Sequence, residues 1–402
     1  MGFIFGVLVS EIFLRVGGVA YPKFYQADVE RGFSPRPGIE GWYELEGRAY
    51  VKINSDGLRD REHTKAKPPD TLRIAVLGDS YTEALQVSLE ETFWSVMAAR
   101  LRECPRPGRM GQVEVINFGV SGYGTAQELI TLRQHVWQYS PDIVLLAFLP
   151  ANDVTDNSRL LRANNQKDVP YFVVRDGQLI LDASFREAPA FQFRQSRLYR
   201  LGTWFHDRSR VLQAIHLAYF AYITRDAPAQ RLPTGNPEAT AAPEADSPGS
   251  NSYTDSGLDD LLYREPVNQA SKDAWQVTER LVLQINEEVK SKGAAFLVVT
   301  LSNGPQVSPN VASRQLLMKD LGVTNLFYAD FRIKSLGERN GFAVLNLAPE
   351  MEVYADLHRA YLHGFGDRLG AGHWNAIGHR VAGESIARHL CENNLSTKTD
   401  PR

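Results

Sequence analysis

The chain is 402 residues long, 43% hydrophobic and 23% charged, which excludes a fibrous or wholly disordered polymer. Its 44 Lys and Arg stand against 47 Asp and Glu, a formal charge of -3, so it lacks the basic excess that binds a phosphate backbone and nucleic acid is excluded as a partner. Cys104 and Cys391 have no Cys or His at ligand spacing, which excludes a zinc site; they read as two packed thiols or as one disulfide.

Residues 2–20 are apolar apart from Glu11 and Arg15, which lie four apart and share a face if the stretch is helical. The nine uncharged residues before Glu11 are too few to span a bilayer, which takes about 20. Three readings stay open: a membrane anchor whose first residues lie outside this chain, a membrane-surface helix, or a buried N-terminal helix. The first carries the expectation of a membrane-anchored protein with an extracytoplasmic domain; the last fits a cytoplasmic one. Residues 21–70 mix aromatics with Pro, Gly and charge and predict an irregular cover over the main domain.

From there the chain alternates. Arg73–Leu77, Val113–Phe118, Asp142–Leu149, Ala295–Leu301 and Phe342–Leu347 read as five strands. Their near-continuous apolar character is that of buried parallel strands. Helical spacing covers residues 88–103, 125–139, 272–292 and 375–393. Strand, helix, strand in this order predicts a parallel sheet with helices on both faces. The main domain is thus split, 71–155 and 272–395, around an insertion over 156–271. The insertion holds a hairpin around Asp176-Gly177, then an aromatic-rich helical region that reads as a packed appendage or a substrate-covering lid. Residues 226–257, with only Leu232 and Tyr253 as larger apolar groups, predict a disordered loop.

Open parallel sheets bind ligands beyond the carboxyl ends of their strands, so the residues following each strand are the informative ones. Gly78-Asp79-Ser80-Tyr81 follows the first strand, Gly119-Val-Ser-Gly122-Tyr-Gly124 the second, and Pro150-Ala-Asn152-Asp153 the third. Gly370-Ala-Gly-His373-Trp374-Asn375 precedes the last helix. Any one block is weak: Ser80 could cap a helix, Gly122 and Gly124 could be turn glycines, and Asn152 an Asx-turn residue. Asp79 and Asp153 read as structural carboxylates bonding loop backbone, and His379, inside the closing helix, as a structural histidine.

Together and in this order, the blocks resemble those of the SGNH (GDSL-type) hydrolases, over residues 71–155 and 272–395. The resemblance implies a flavodoxin-like three-layer α/β/α fold with a mostly parallel five-stranded sheet and an insertion between strands three and four. It implies an esterase or acyl-handling enzyme that uses no cofactor and acts on a small-molecule or glycan ester. Ser80 is then the nucleophile, His373 its base, and the Ser80 and Gly122 N–H groups with the Asn152 amide the oxyanion donors. A serine hydroxyl needs such a base, and a developing oxyanion needs donors already aimed at it. The family pattern has an aspartate three residues before the histidine; here that position is Gly370, and Asp367 is the nearest acid. Either Asp367 orients His373 or the site is a Ser-His dyad. The Gly-His-Trp-Asn block is similar to that of polysaccharide O-acetyl-handling relatives. An O-acyltransferase on the same site and a non-catalytic glycan-binding or envelope-complex module, its acid lost at Gly370, are the alternatives.

Overall fold

A computed structural model of the chain describes residues 2–104, 112–162, 168–224 and 261–393. The expected loop over 226–257 lies outside the described residues.

Five strands form the central sheet: β5 (Thr71–Gly78), β6 (Gln112–Asn117), β7 (Ile143–Phe148), β10 (Ala295–Thr300) and β11 (Ala343–Asn346). Their order is β11-β10-β7-β5-β6, and every pairing is parallel rather than mostly so. Alternate β5 side chains enter two separate cores. Leu72, Ile74 and Val76 pack toward α3 (Phe93–Glu103), α12 (Leu347–His358) and α13 (Ala376–Glu392). Ala75 and Leu77 pack toward α4 (Thr125–Gln134), α9 (Gln269–Ser291) and α11 (Tyr328–Asn340). A strand buried on both faces cannot alternate apolar with polar, which is why these strands are continuous apolar runs in the sequence. The result is the three-layer α/β/α sandwich. Because β6 and β7 flank β5, strand order reverses at β5, and a crevice opens at the carboxyl ends there. Cys104, at the end of α3, forms a disulfide with Cys391 in α13.

The segment 21–70 departs from the irregular cover expected. It forms two antiparallel hairpins, β1 (Tyr25–Asp28) with β2 (Gly32–Pro35) and β3 (Glu40–Tyr43) with β4 (Ala49–Lys52). Four-residue strands are too short to reveal a period of two, and here they gain their order by packing Phe24, Val51 and Ile53 against Leu85. Between β7 and α9 the chain forms a hairpin, β8 (Tyr171–Arg175) with β9 (Gln178–Asp182), that turns at Asp176-Gly177. Three helices follow: α6 (Pro189–Gln195), α7 (Arg197–Arg208) and α8 (Arg210–Thr224). Residues Gly2–Val16 form α1, which packs against α8.

Candidate active site

Each of the first three sheet strands in chain order delivers one block to the crevice. After β5 comes a single helical turn, α2 (Ser80–Glu83). Its N-cap is Asp79 and not Ser80: Asp79 Oδ1 accepts the Tyr81 N–H at 2.9 Å. The other Asp79 oxygen accepts the Asn152 side-chain amide, also at 2.9 Å. One buried carboxylate thus ties the serine turn to the asparagine block, and burial pushes its carboxyl above the usual range against the pull of those two bonds. Asn152 lies in α5 (Pro150–Asp156), whose start is fixed by Asp153 accepting the Leu149 N–H at 2.7 Å and the Thr125 hydroxyl at 3.1 Å. Asp79 and Asp153 are both bound to loop backbone, as read from the sequence.

Glu83 does not close a capping box over Ser80. Its carboxylate accepts the Tyr25 hydroxyl at 2.5 Å and the Ser121 N–H at 2.7 Å, joining the first hairpin to the glycine turn after β6. In that turn Gly122 has φ +80°, where a Cβ is strained, and its carbonyl accepts Arg162 Nη2 at 2.6 Å. Its N–H, like that of Ser80, has no acceptor among the described residues. An amide carries two N–H donors, so Asn152 keeps one beyond its bond to Asp79.

The fourth block closes the site from the other side. His373 Nε2 is 2.8 Å from Ser80 Oγ. Its Nδ1 is hydrogen-bonded to Glu46 Oε2, and its backbone N–H donates to Glu46 Oε1 at 2.7 Å. Glu46 sits in the turn between β3 and β4, 327 residues away in sequence. Burial opposes ionisation of Glu46, but the bonds from the His373 ring and backbone outweigh it and hold the carboxyl below the usual range. Gly372 (φ +77°) makes the approach possible, because a Cβ there would collide with Glu46 Oε1.

Asp367, the nearest acid in sequence to the family's position at Gly370, does not take this place. It is exposed and makes no hydrogen bond or ion pair among the described residues. The Gly-rich turn carries it outward, since Gly364, Gly366 and Gly370 all have positive φ. No signal in the sequence singled out Glu46, because the pairing is made by two loops from opposite ends of the chain.

A second histidine supports the turn. His363 is buried, and its ring lies 2.9 Å from the Gly372 carbonyl, which can only accept, so Nδ1 carries the proton. Its Nε2 faces Ser302 Oγ at 3.1 Å. Burial drives its pKa down to about 4, keeping it neutral. Trp374 is fully buried, with its indole N–H bonded to Ser302 at 2.9 Å, so it props the turn and is closed to a sugar face. His379 accepts the Phe93 N–H at 3.3 Å from inside α13, the structural role expected of it. Tyr81 packs on the His373 ring at 4.9 Å between centroids and donates to the Gly372 carbonyl at 2.9 Å.

Strand order 2-1-3-4-5, a serine turn after strand one, a glycine turn after strand two, an asparagine after strand three and a histidine before the last helix are now all in place. This strand order and this order of blocks are those expected from the resemblance of the sequence to the SGNH hydrolases. No family model matches it, and no curated protein does. Solved structures align with it at low identity. One is the acetyl xylan esterase AlAXEase, 11% identical over 79% of this chain and 100% of that one, with a TM-score of 0.36. Another is a catalytic mutant of Axe2, an acetylxylan esterase from Geobacillus stearothermophilus, 10% identical over 81% of this chain and 96% of that one, TM-score 0.37. A third is a putative lipolytic protein of the G-D-S-L family from Desulfitobacterium hafniense DCB-2, 11% identical over 79% and 98%, TM-score 0.33.

Proposed function

We propose that the protein is a serine esterase of SGNH type with a Ser80–His373–Glu46 triad. The observation that carries this reading is the unbroken line of hydrogen bonds from Ser80 Oγ through both ring nitrogens of His373 to the Glu46 carboxylate. Ser80 Oγ attacks the ester carbonyl carbon while His373 Nε2 takes its proton. Glu46, ionised, holds Nδ1–H and stabilises the imidazolium. The carbonyl oxygen, now negative, accepts from the Ser80 and Gly122 N–H groups and the free Asn152 amide hydrogen. The alcohol leaves with the proton from His373, giving an acyl-enzyme. Water, deprotonated by the same histidine, then releases the carboxylic acid and restores Ser80.

This reading removes the reason for a non-catalytic module, which rested on the acid missing at Gly370. We infer an ester of small acyl size, an O-acetylated glycan, as the substrate class, supported by the likeness of the Gly-His-Trp-Asn block to O-acetyl-handling relatives. An acceptor hydroxyl in place of water would make the same site an O-acyltransferase, and product analysis with an oligosaccharide acceptor separates the two. The Cys104–Cys391 disulfide supports an oxidising, extracytoplasmic location.

The decisive experiment is hydrolysis of p-nitrophenyl acetate and of acetylated oligosaccharides against pH, wild type beside Ser80→Ala. Hydrolysis by wild type that is absent in Ser80→Ala supports the triad. Equal inertness of both proteins toward both substrates overturns it.

A further inference from the structure

Helix α7 is folded with its apolar side outward. Leu198, Leu201, Trp204 and Phe205 are exposed, Leu198 to 70% and Trp204 to 45%. His206 is buried, and Asp207 is turned inward to pair with Arg36 at 2.6 Å. In water an amphipathic helix buries the opposite stripe. The same inversion runs through its neighbours. On α1, Phe5, Ile12 and Phe13 are exposed, Phe13 to 76%, and on α8 so are Ile215 and Tyr219. The three helices form one body: Glu11 of α1 accepts the backbone N–H groups of Arg210 and Val211 at 2.9 and 3.1 Å, and Arg15 donates to the Arg208 carbonyl at 2.5 Å.

We propose that α1, α7 and α8 form a docking platform for an anionic lipid surface. Charge selects this occupant. The chain as a whole is negative, at -3, yet residues 197–210 carry Arg197, Arg200, Arg208 and Arg210 against Asp207 alone. Arg197, Arg200 and Arg208 are exposed beside the apolar stripe, and the Arg208 guanidinium lies 4.1 Å from the Trp204 ring. Trp and Arg interleaved on an exposed apolar helix face is the pattern of a helix lying at the headgroup boundary. No helix among the described residues is long and apolar enough to cross a membrane. The chain's own segment 226–257, with only Leu232 and Tyr253 as larger apolar groups, lacks the apolar surface to cover it.

The test uses the full chain and vesicles of phosphatidylcholine with or without phosphatidylglycerol. Wild type partitions onto the anionic vesicles, and Arg197→Gln/Arg200→Gln weakens that partition about thirtyfold, at ~1 kcal/mol for each arginine near the surface. Brominated phosphatidylcholine mixed with phosphatidylglycerol quenches Trp204 emission, and that part of the quenching vanishes in Trp204→Phe. Ser80→Ala binds as wild type does, so loss of the esterase reading leaves this result untouched. Absence of partition overturns the proposal, as does binding in which Trp204 is not quenched, which would assign the contact to α1 alone. A wild-type dimer that ignores vesicles and becomes monomeric in Leu201→Glu/Trp204→Glu also overturns it, in favour of a second copy of the chain.

Discussion

At the scale of single residues, the site depends on how Glu46 and His363 hold the turn that presents His373. Glu46→Gln keeps the shape of the side chain but no longer favours the Nδ1–H tautomer or stabilises the imidazolium. We expect kcat to fall about 10³- to 10⁴-fold with KM nearly unchanged, as for loss of the orienting acid in a Ser-His-Asp triad. Asp367→Asn leaves both constants unaltered. Gly372→Ala displaces the same carboxylate and reproduces the Glu46→Gln loss, and combining the two adds little because both break one interaction. Steady-state kinetics on p-nitrophenyl acetate reads all four, and an inactive Asp367→Asn beside an active Glu46→Gln would overturn the assignment of the acid.

His363 carries a pH prediction. Its folded pKa of about 4 lies below the unfolded value of 6.5, so on acidification the unfolded chain takes up the proton first. The stability it contributes is complete above about pH 6.5 and is lost as pH falls toward 4, by roughly 3 kcal/mol over that window. In His363→Gln this part of the dependence disappears. Urea midpoints measured from pH 7 to pH 4.5 should show the variant's deficit shrinking toward acid, and a constant deficit would refute the buried neutral ring.

At the scale of elements, the disulfide joins the end of α3 to α13 across a sequence separation of 287 residues. Closing so long a loop restricts the unfolded chain, and reduction is expected to cost about 3–5 kcal/mol. A lower urea midpoint with reductant, matched by Cys104→Ala/Cys391→Ala without it, is the expected result. These two helices were visible in the sequence as periodic apolar segments, and so were the five strands, because each is long enough to show its period or is uniformly apolar. The hairpins β1–β2 and β3–β4 were not. Four-residue strands have too few residues for a pattern, and their order comes from the domain beneath them.

At the scale of the whole molecule, the N-terminal segment links the exposed helical platform to the active site. Buried Gln213 of α8 accepts the Tyr21 N–H at 2.8 Å and donates to the His206 and Asp207 carbonyls at 3.2 and 3.0 Å. Just before Tyr21, β3 is fixed to the same linker by the Trp42 N–H donating to the Ala20 carbonyl at 2.6 Å and its indole N–H to the Gly18 carbonyl at 3.2 Å. Gln213→Leu leaves those groups unpaired and should loosen the hairpin that carries Glu46. A fall in kcat of about tenfold, with Ser80 still labelled by a fluorophosphonate, is expected; unchanged kcat would mean the platform and the site are mechanically independent.

The parallel sheet and the four blocks that bring Ser80, Gly122, Asn152 and His373 to its carboxyl end were legible in the chain, because each depends on a short run of residues at the end of a periodic element. Local chemistry at fixed spacing survives in sequence. Three things required the tertiary structure: the Glu46 carboxylate that meets His373, the pairing of Cys104 with Cys391, and the outward face of α7. Each is a relation between segments up to some 330 residues apart, and linear order holds no record of which distant loop a positive-φ glycine such as Gly372 will admit. The composition of α7 made it amphipathic, but only its packing decided that His206 and Asp207 turn inward and Trp204 outward.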